Sequence, residues 1–326
     1  MRPELRGRAT RQGGVITRRD AAACGYTERE LKTLTGHNGD WVVVRRGCYA
    51  ERPLWDSLDE DGRYLLGVWA VHLTAARDPV VSHCSAAAAL GMPLRPRWRA
   101  LAHVTRPDVR GSRTENGVKH HLGSFLPDDL VDVSGLRVTS LARTALDIAR
   151  EHGFEDGVVA ADAALRMGAA REELARGLEL MTHWPGVTAA RAAVQVADGG
   201  AENVAETLLR LMVIELGMGV PETQFEVVAE GRRARTDLRL GRHLFEFDGK
   251  VKYLGRESGG VADEPPEQVV WREKQREDWL RRVDGGYGVS RVTWRELFEP
   301  QRRATLRRLR SEVDDTVRRF GEAMWC

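Results

Sequence analysis

The sequence predicts an α+β protein of two or three domains, on three observations. Its 326 residues exceed the usual size of a single domain. Apolar residues make up 42% and charged residues 30%, the composition of an ordinary globular protein with enough material for real cores. Segments of helical and strand periodicity alternate along the chain, without an internal repeat.

Residues 1–52 read as three helices and a hairpin. Thr17, with Asp20 three positions on, caps a helix over 18–24 that Gly25 stops. Thr27-Glu28-Arg29-Glu30 has the capping-box pattern and opens a further helix running to about Thr35. Only Gly25 and Tyr26 separate the two, the length of a helix-turn-helix connection. Residues 41–44 and 48–50 are short strands about a basic Arg45-Arg46-Gly47 tip. That order is a winged helix-turn-helix. The segment carries eleven Lys/Arg against six Asp/Glu, in a chain whose net charge is only +2. Such an excess in a small module marks a phosphate-binding surface, and double-stranded DNA is the expected partner. Arg18, Arg19, Arg29, Lys32, Arg45 and Arg46 suit phosphate contact, and Arg29 and Thr33 are placed to read base edges. The plainer alternative is a solvated helix face.

The middle, 53–200, mixes helices over 58–74, 82–90, 140–149 and 158–167 with strands over 101–106, 118–121 and 136–139. Asp147 and Asp162 sit in apolar helices, as capping or packing groups. His83, His120 and His121 have no partner at ligand spacing and read as surface or structural residues. The Ala-Asp-Gly-Gly-Ala stretch at 197–201 is a linker. Beyond it, 201–300 orders as a helix (202–216), a strand (225–228), a hairpin (235–240 and 243–248), a charged helix (267–283) and a closing strand (289–293), an α/β arrangement with a mixed sheet. Trp271, Trp279 and Trp294 are expected to fill core volume beside that sheet. Residues 301–326 form a basic helix.

No apolar run is long enough to cross a bilayer, and no apolar stretch follows the Arg-rich residues 1–12 as a secretory signal requires. Cys24, Cys48, Cys84 and Cys326 are scattered, without a CxxC pair or a His at zinc spacing. Reduced thiols and a cytoplasmic location are the expectation.

The hairpin over 235–248 carries the most chemical information. With Gly241-Arg242 as its two-residue turn, Asp237 faces Glu246, and like charges so opposed destabilise a sheet. The period of two gathers Glu246, Asp248 and Lys250 on one face and Phe245 and Phe247 on the other. Such a carboxylate cluster calls for a cation, and Mg²⁺ is the natural candidate for activating water against a phosphodiester.

Glu206 in AENVAETLLR, Asp237 in ARTDLRL and Glu246 in LFEFDGKVKY together resemble the PD-(D/E)xK nuclease superfamily, which has a restriction-endonuclease-like fold. More narrowly they resemble the group related to very-short-patch-repair endonucleases, and WREKQREDWLRRVDGGYGVSRVTW at 271–294 fits its helix and strand. The resemblance implies a metal site at Asp237 and Glu246, assisted by Glu206. The Lys that the superfamily places two residues after the Glu is here Asp248, which leaves Lys250 to take its electrostatic role. The stretch GVITRRDAAACGYTERELKTL, with GDWVVVRRGCYA, resembles the winged-helix module of AbiEi-family antitoxins of type IV toxin–antitoxin systems. VSHCSAAAALGMPL and LRVTSLARTALDIAR resemble the AbiEi-like domain that follows it. That family binds DNA through the winged helix, represses its own operon and counters a nucleotidyltransferase-type toxin. The sequence leaves open a DNA-binding regulator with a nuclease-like binding unit, an active Mg²⁺-dependent endonuclease targeted by the winged helix, and a toxin-neutralising scaffold.

Overall fold

A computed structural model describes residues 1–248 and 266–325, the side chains of 266–270 and 284 excepted. The chain mixes α and β structure and divides into two compact units, Met1–Val196 and Ala197–Cys326, at the stretch read as a linker.

The first unit opens with α1 (Pro3–Arg11), β1 (Ile16–Thr17), α2 (Arg18–Ala23), α3 (Glu28–Leu34), β2 (Trp41–Arg45) and β3 (Cys48–Glu51). The three strands form an antiparallel sheet of order β1-β3-β2, so the winged-helix order expected of this segment is realised. Both capping boxes form: Thr17 with Asp20 at the start of α2, and Thr27 with Glu30 at the start of α3. Each such cap contributes about 1 kcal/mol by satisfying amides that have no partner within the helix. Gly25 ends α2 at φ +81°, a conformation that costs side-chain-bearing residues. Leu5, Ile16, Ala21, Leu31 and Trp41 form the core between helices and sheet.

Residues 1–52 do not stand alone. Val15, Cys48 and Ala50 bury into a second core with Leu66, Trp69, Val81, Leu136 and Val138, which places the expected boundary after residue 52 inside a unit. The elements that follow are α4 (Arg52–Ser57), α5 (Glu60–Thr74), β4 (Val80–Val81), α6 (His83–Leu90), β5 (Ala102–Arg106), β6 (Arg113–Glu115), β7 (Val118–Leu122), β8 (Leu130–Val133) and β9 (Leu136–Thr139). The six strands order as β6-β7-β5-β4-β9-β8, with β5/β7 and β4/β9 parallel and the other neighbours antiparallel. α7 (Leu141–His152), α8 (Phe154–Arg166), α9 (Arg171–Leu180) and α10 (Val187–Val196) complete the unit. Small residues let these helices approach closely: a Cβ on Gly157 would lie 2.6 Å from Ala149 Cβ and 2.9 Å from Ala193 Cβ.

The second unit contains α11 (Val204–Glu215), β10 (Glu222–Ala229), β11 (Arg232–Leu240), β12 (His243–Asp248), α12 (Pro266–Leu280), β13 (Gly288–Thr293) and α13 (Gln301–Phe320). Among the described residues the strands pair in chain order, antiparallel except for β13, which runs parallel to β12. The β11–β12 turn is the expected Gly241-Arg242, with Gly241 at φ +57°. α13 packs on β13, so residues 301–326 belong to this unit rather than trailing from it. Trp279 joins the core with Leu244, Leu280 and Tyr287, whereas Trp271 and Trp294 are 62% and 45% exposed and do not fill the core. No helix among the described residues is long and apolar enough to cross a membrane.

Candidate nucleic-acid interface and carboxylate site

The capped α3 directs Leu31 into the core and leaves Arg29, Lys32 and Thr33 exposed at i, i+3 and i+4, one helix face. Arg19 on α2 and Arg46 at the β2–β3 tip are also exposed, and Arg45 beside it is half-buried. Among the described residues Arg19, Arg29, Lys32, Arg45 and Arg46 make no ion pair. Arg18 differs. Its guanidinium pairs with Glu28, which ties the start of α2 to the start of α3 and commits part of its charge.

In the second unit the carboxylates singled out in the sequence do converge. Asn203 caps α11 by accepting from the Ala205 and Glu206 amides at 2.9 and 3.1 Å, which sets Glu206 in the first turn. The Glu206 carboxylate accepts from Glu202 N at 2.7 Å, Asn203 Nδ2 at 2.6 Å and Gln224 Nε2 at 2.8 Å. Burial, reinforced by the negative charge of Asp237, pushes its carboxyl up to about 7. On β11, Asp237 Oδ2 accepts the Phe247 amide at 2.6 Å, one step past the last paired residues, Leu238 and Phe245. Glu246 on β12 is 7% exposed.

The compensating charge for Glu246 comes from protein. Arg276 Nη2 on α12 lies 2.7 Å from its Oε1, and Arg291 Nε, opposite it on β13, lies 3.5 Å from its Oε2. Glu273 and Glu277 extend the network to Arg291 at 3.3 Å each. A pocket of about 110 Å³ remains, lined by Arg235, Asp237, Glu246, Asp248, Arg276 and Arg291. Asp248 stands at its edge, and Lys250 lies outside the described residues. Glu246 Oε1, although 2.7 Å from Arg276, is buried without a hydrogen bond of good geometry. Here Glu246 faces two guanidinium groups, and Glu206 accepts three hydrogen bonds. The two guanidinium groups beside Glu246 disfavour a Mg²⁺ ion there through like-charge repulsion.

The first unit holds a second constellation that sequence spacing did not disclose. His83, His103 and His121 are buried together, and His103 also neighbours Cys84 and His152. His103 on β5 and His121 on β7 lie on one face of their parallel pair, with Nδ1 and Nε2 3.0 Å apart. Cys84 Sγ in the first turn of α6 lies 3.2 Å from Nε2 of His152, the last residue of α7. Burial lowers His103 to about 3 and His152 below the usual imidazole range, so both rings are neutral. His83 opens α6 at φ +52°, strain of a kind that clusters at functional sites. His83 and His121 are therefore interior, not surface, residues. The one sequence hint was the strand alternation around Val104 and Val118, which sends His103 and His121 to the same side of the sheet. Asp147 takes a packing role, paired with Arg143 at 3.0 Å and Arg150 at 2.9 Å.

No family model matches the chain. It is 36% identical over 131 residues to an uncharacterized protein of Mycobacterium tuberculosis, found in strains CDC 1551/Oshkosh and H37Rv. The match takes in 40% of this chain and 47% of the relative, so the chain spans about half the length of the curated relatives it matches.

Proposed function

We propose that this protein is a DNA-binding regulator of AbiEi-antitoxin type, whose nuclease-like unit serves binding rather than cutting. The observation that carries the reading is the set of uncommitted cations, Arg29 and Lys32 on α3 with Arg45 and Arg46 at the hairpin tip. Exposed cations without acidic partners are what a phosphate backbone recruits. The opposite condition in the second unit supports the same reading. Glu246 is paired with Arg276 and Arg291, which also reach Glu273 and Glu277, and Asp248 stands where the nuclease pattern has Lys. Repression of its own operon, and neutralisation of a nucleotidyltransferase-type toxin encoded beside it, complete the proposal.

A reporter driven by the gene's own upstream region tests it. Full-length protein is expected to lower transcription, and the Arg29→Ala/Lys32→Ala variant, made at equal level, is expected to restore it. Equal output with both proteins removes the repressor reading. Plasmid cleavage in Mg²⁺, lost in Asp237→Asn, would replace it with the endonuclease.

A further inference from the structure

We propose that the first unit holds a transition-metal site of Zn²⁺ chemistry, with Cys84, His103 and His152 as its ligands. Helix α6, strand β5 and the end of α7 bring one sulfur and two imidazole nitrogens within 4.8 Å of one another. Tetrahedral Zn²⁺, with Zn–S of about 2.3 Å and Zn–N of about 2.0–2.1 Å, holds a sulfur and a nitrogen ligand about 3.5 Å apart. Cys84 Sγ and His152 Nε2, at 3.2 Å, are a few tenths of an ångström from that separation. One thiolate with two neutral imidazoles is a borderline-soft donor set, suited to Zn²⁺ and Co²⁺ and poorly suited to Mg²⁺.

The neighbouring histidines refine the assignment. His83 and His121 stack with centroids 3.6 Å apart and planes 15° from parallel. Ring lone pairs lie in the plane, so two stacked rings point side by side and do not converge on one ion. His121 has another use. Its Nε2 faces His103 Nδ1 at 3.0 Å, an acceptor in the place that a carboxylate, carbonyl or water ordinarily takes beside a metal-bound histidine. His103 then donates Nδ1–H to His121 and offers Nε2 to the metal. The carboxylates whose charge reaches His152 are otherwise engaged: Glu151 with Lys119, and Asp156 with Arg95 and Arg97. The fourth position is left to water or a small ligand, and half-buried His152 marks the way in. Binding forms the metal–sulfur bond and passes the Cys84 proton to solvent.

Co²⁺ titration of chelator-stripped, full-length protein tests the site. A single equivalent should produce tetrahedral d–d bands with a thiolate-to-cobalt charge-transfer band, and Zn²⁺ should displace them and raise Tm. Mg²⁺ should do neither. His152→Ala should weaken binding at least 100-fold, Cys84→Ser should remove the charge-transfer band, and His121→Phe should weaken affinity about 10- to 100-fold. His83→Ala should bind as wild type does. The wild-type spectrum needs no variant to fold: if it shows no thiolate–cobalt band, the site is absent. A band that survives Cys84→Ser, or that His83→Ala abolishes in a folded protein, also overturns the assignment.

Discussion

Two regions of the molecule treat charge in opposite ways. On α3 and the β2–β3 tip, cations stand without acidic partners, whereas Glu246 faces two guanidinium groups and Asp237 accepts an amide. Exposed, uncommitted charge contributes little to stability and is available to a partner. Buried, paired charge is held by the fold and is costly to disturb. On the proposed function, charge without a partner inside the protein is what a ligand meets and paired charge is architecture, even where the carboxylates follow a nuclease pattern.

The largest expected effect on stability is at Glu206. Its carboxyl is raised from 4.5 to about 7, so the folded state holds a proton that the unfolded chain releases. Its contribution is fully present below about pH 4.5 and is lost as pH rises through about 7. Glu206→Gln should therefore gain on wild type across that window, by at most about 3 kcal/mol in urea denaturation. A gap that does not change with pH would show that Glu206 is not held protonated, and that the carboxylates are less confined than described.

Glu246→Gln comes next. The sequence alone, which sets Asp237 against Glu246, predicts that removing one charge is neutral or stabilising. Arg276 and Arg291 reverse the sign. The variant should lose on the order of 2 kcal/mol, below the ~3–5 kcal/mol of a fully buried pair because both guanidinium groups are a quarter exposed. Mg²⁺ should leave the wild-type Tm unchanged. A Tm that rises with Mg²⁺ and stays flat in the variant would restore the metal reading.

The smallest effect is at the helix cap. Thr27→Ala should cost about 1 kcal/mol and weaken DNA binding only as far as α3 frays. Loss of binding with unchanged stability would instead make Thr27 a DNA contact.

What the sequence made legible is local. The capping boxes at Thr17 and Thr27 and the Gly241-Arg242 turn depend on residues two or three positions apart, and all three are found as expected. The convergence of Glu206, Asp237 and Glu246 was also legible, through strand alternation and a family pattern. Their neutralisation was not, because Arg276 and Arg291 come from a helix and a strand thirty and forty-five positions further on. The cluster of Cys84, His103, His121 and His152 draws on four elements, so no spacing rule gathers it. The boundary expected after residue 52 falls inside the first unit for a related reason. Cys48 and Ala50 read as one hairpin strand, and only the fold shows which core they enter.

The proposed DNA contact rests on the unpaired cations of the winged helix. Its most direct test is the salt dependence of duplex binding by the full chain, compared with a variant carrying Arg29→Ala, Lys32→Ala, Arg45→Ala and Arg46→Ala. Wild-type affinity should fall steeply with salt. The variant should bind about 10³-fold more weakly at low salt, its log–log slope shallower by about one for each phosphate it no longer neutralises. Equal affinities and equal slopes for the two proteins would contradict the account.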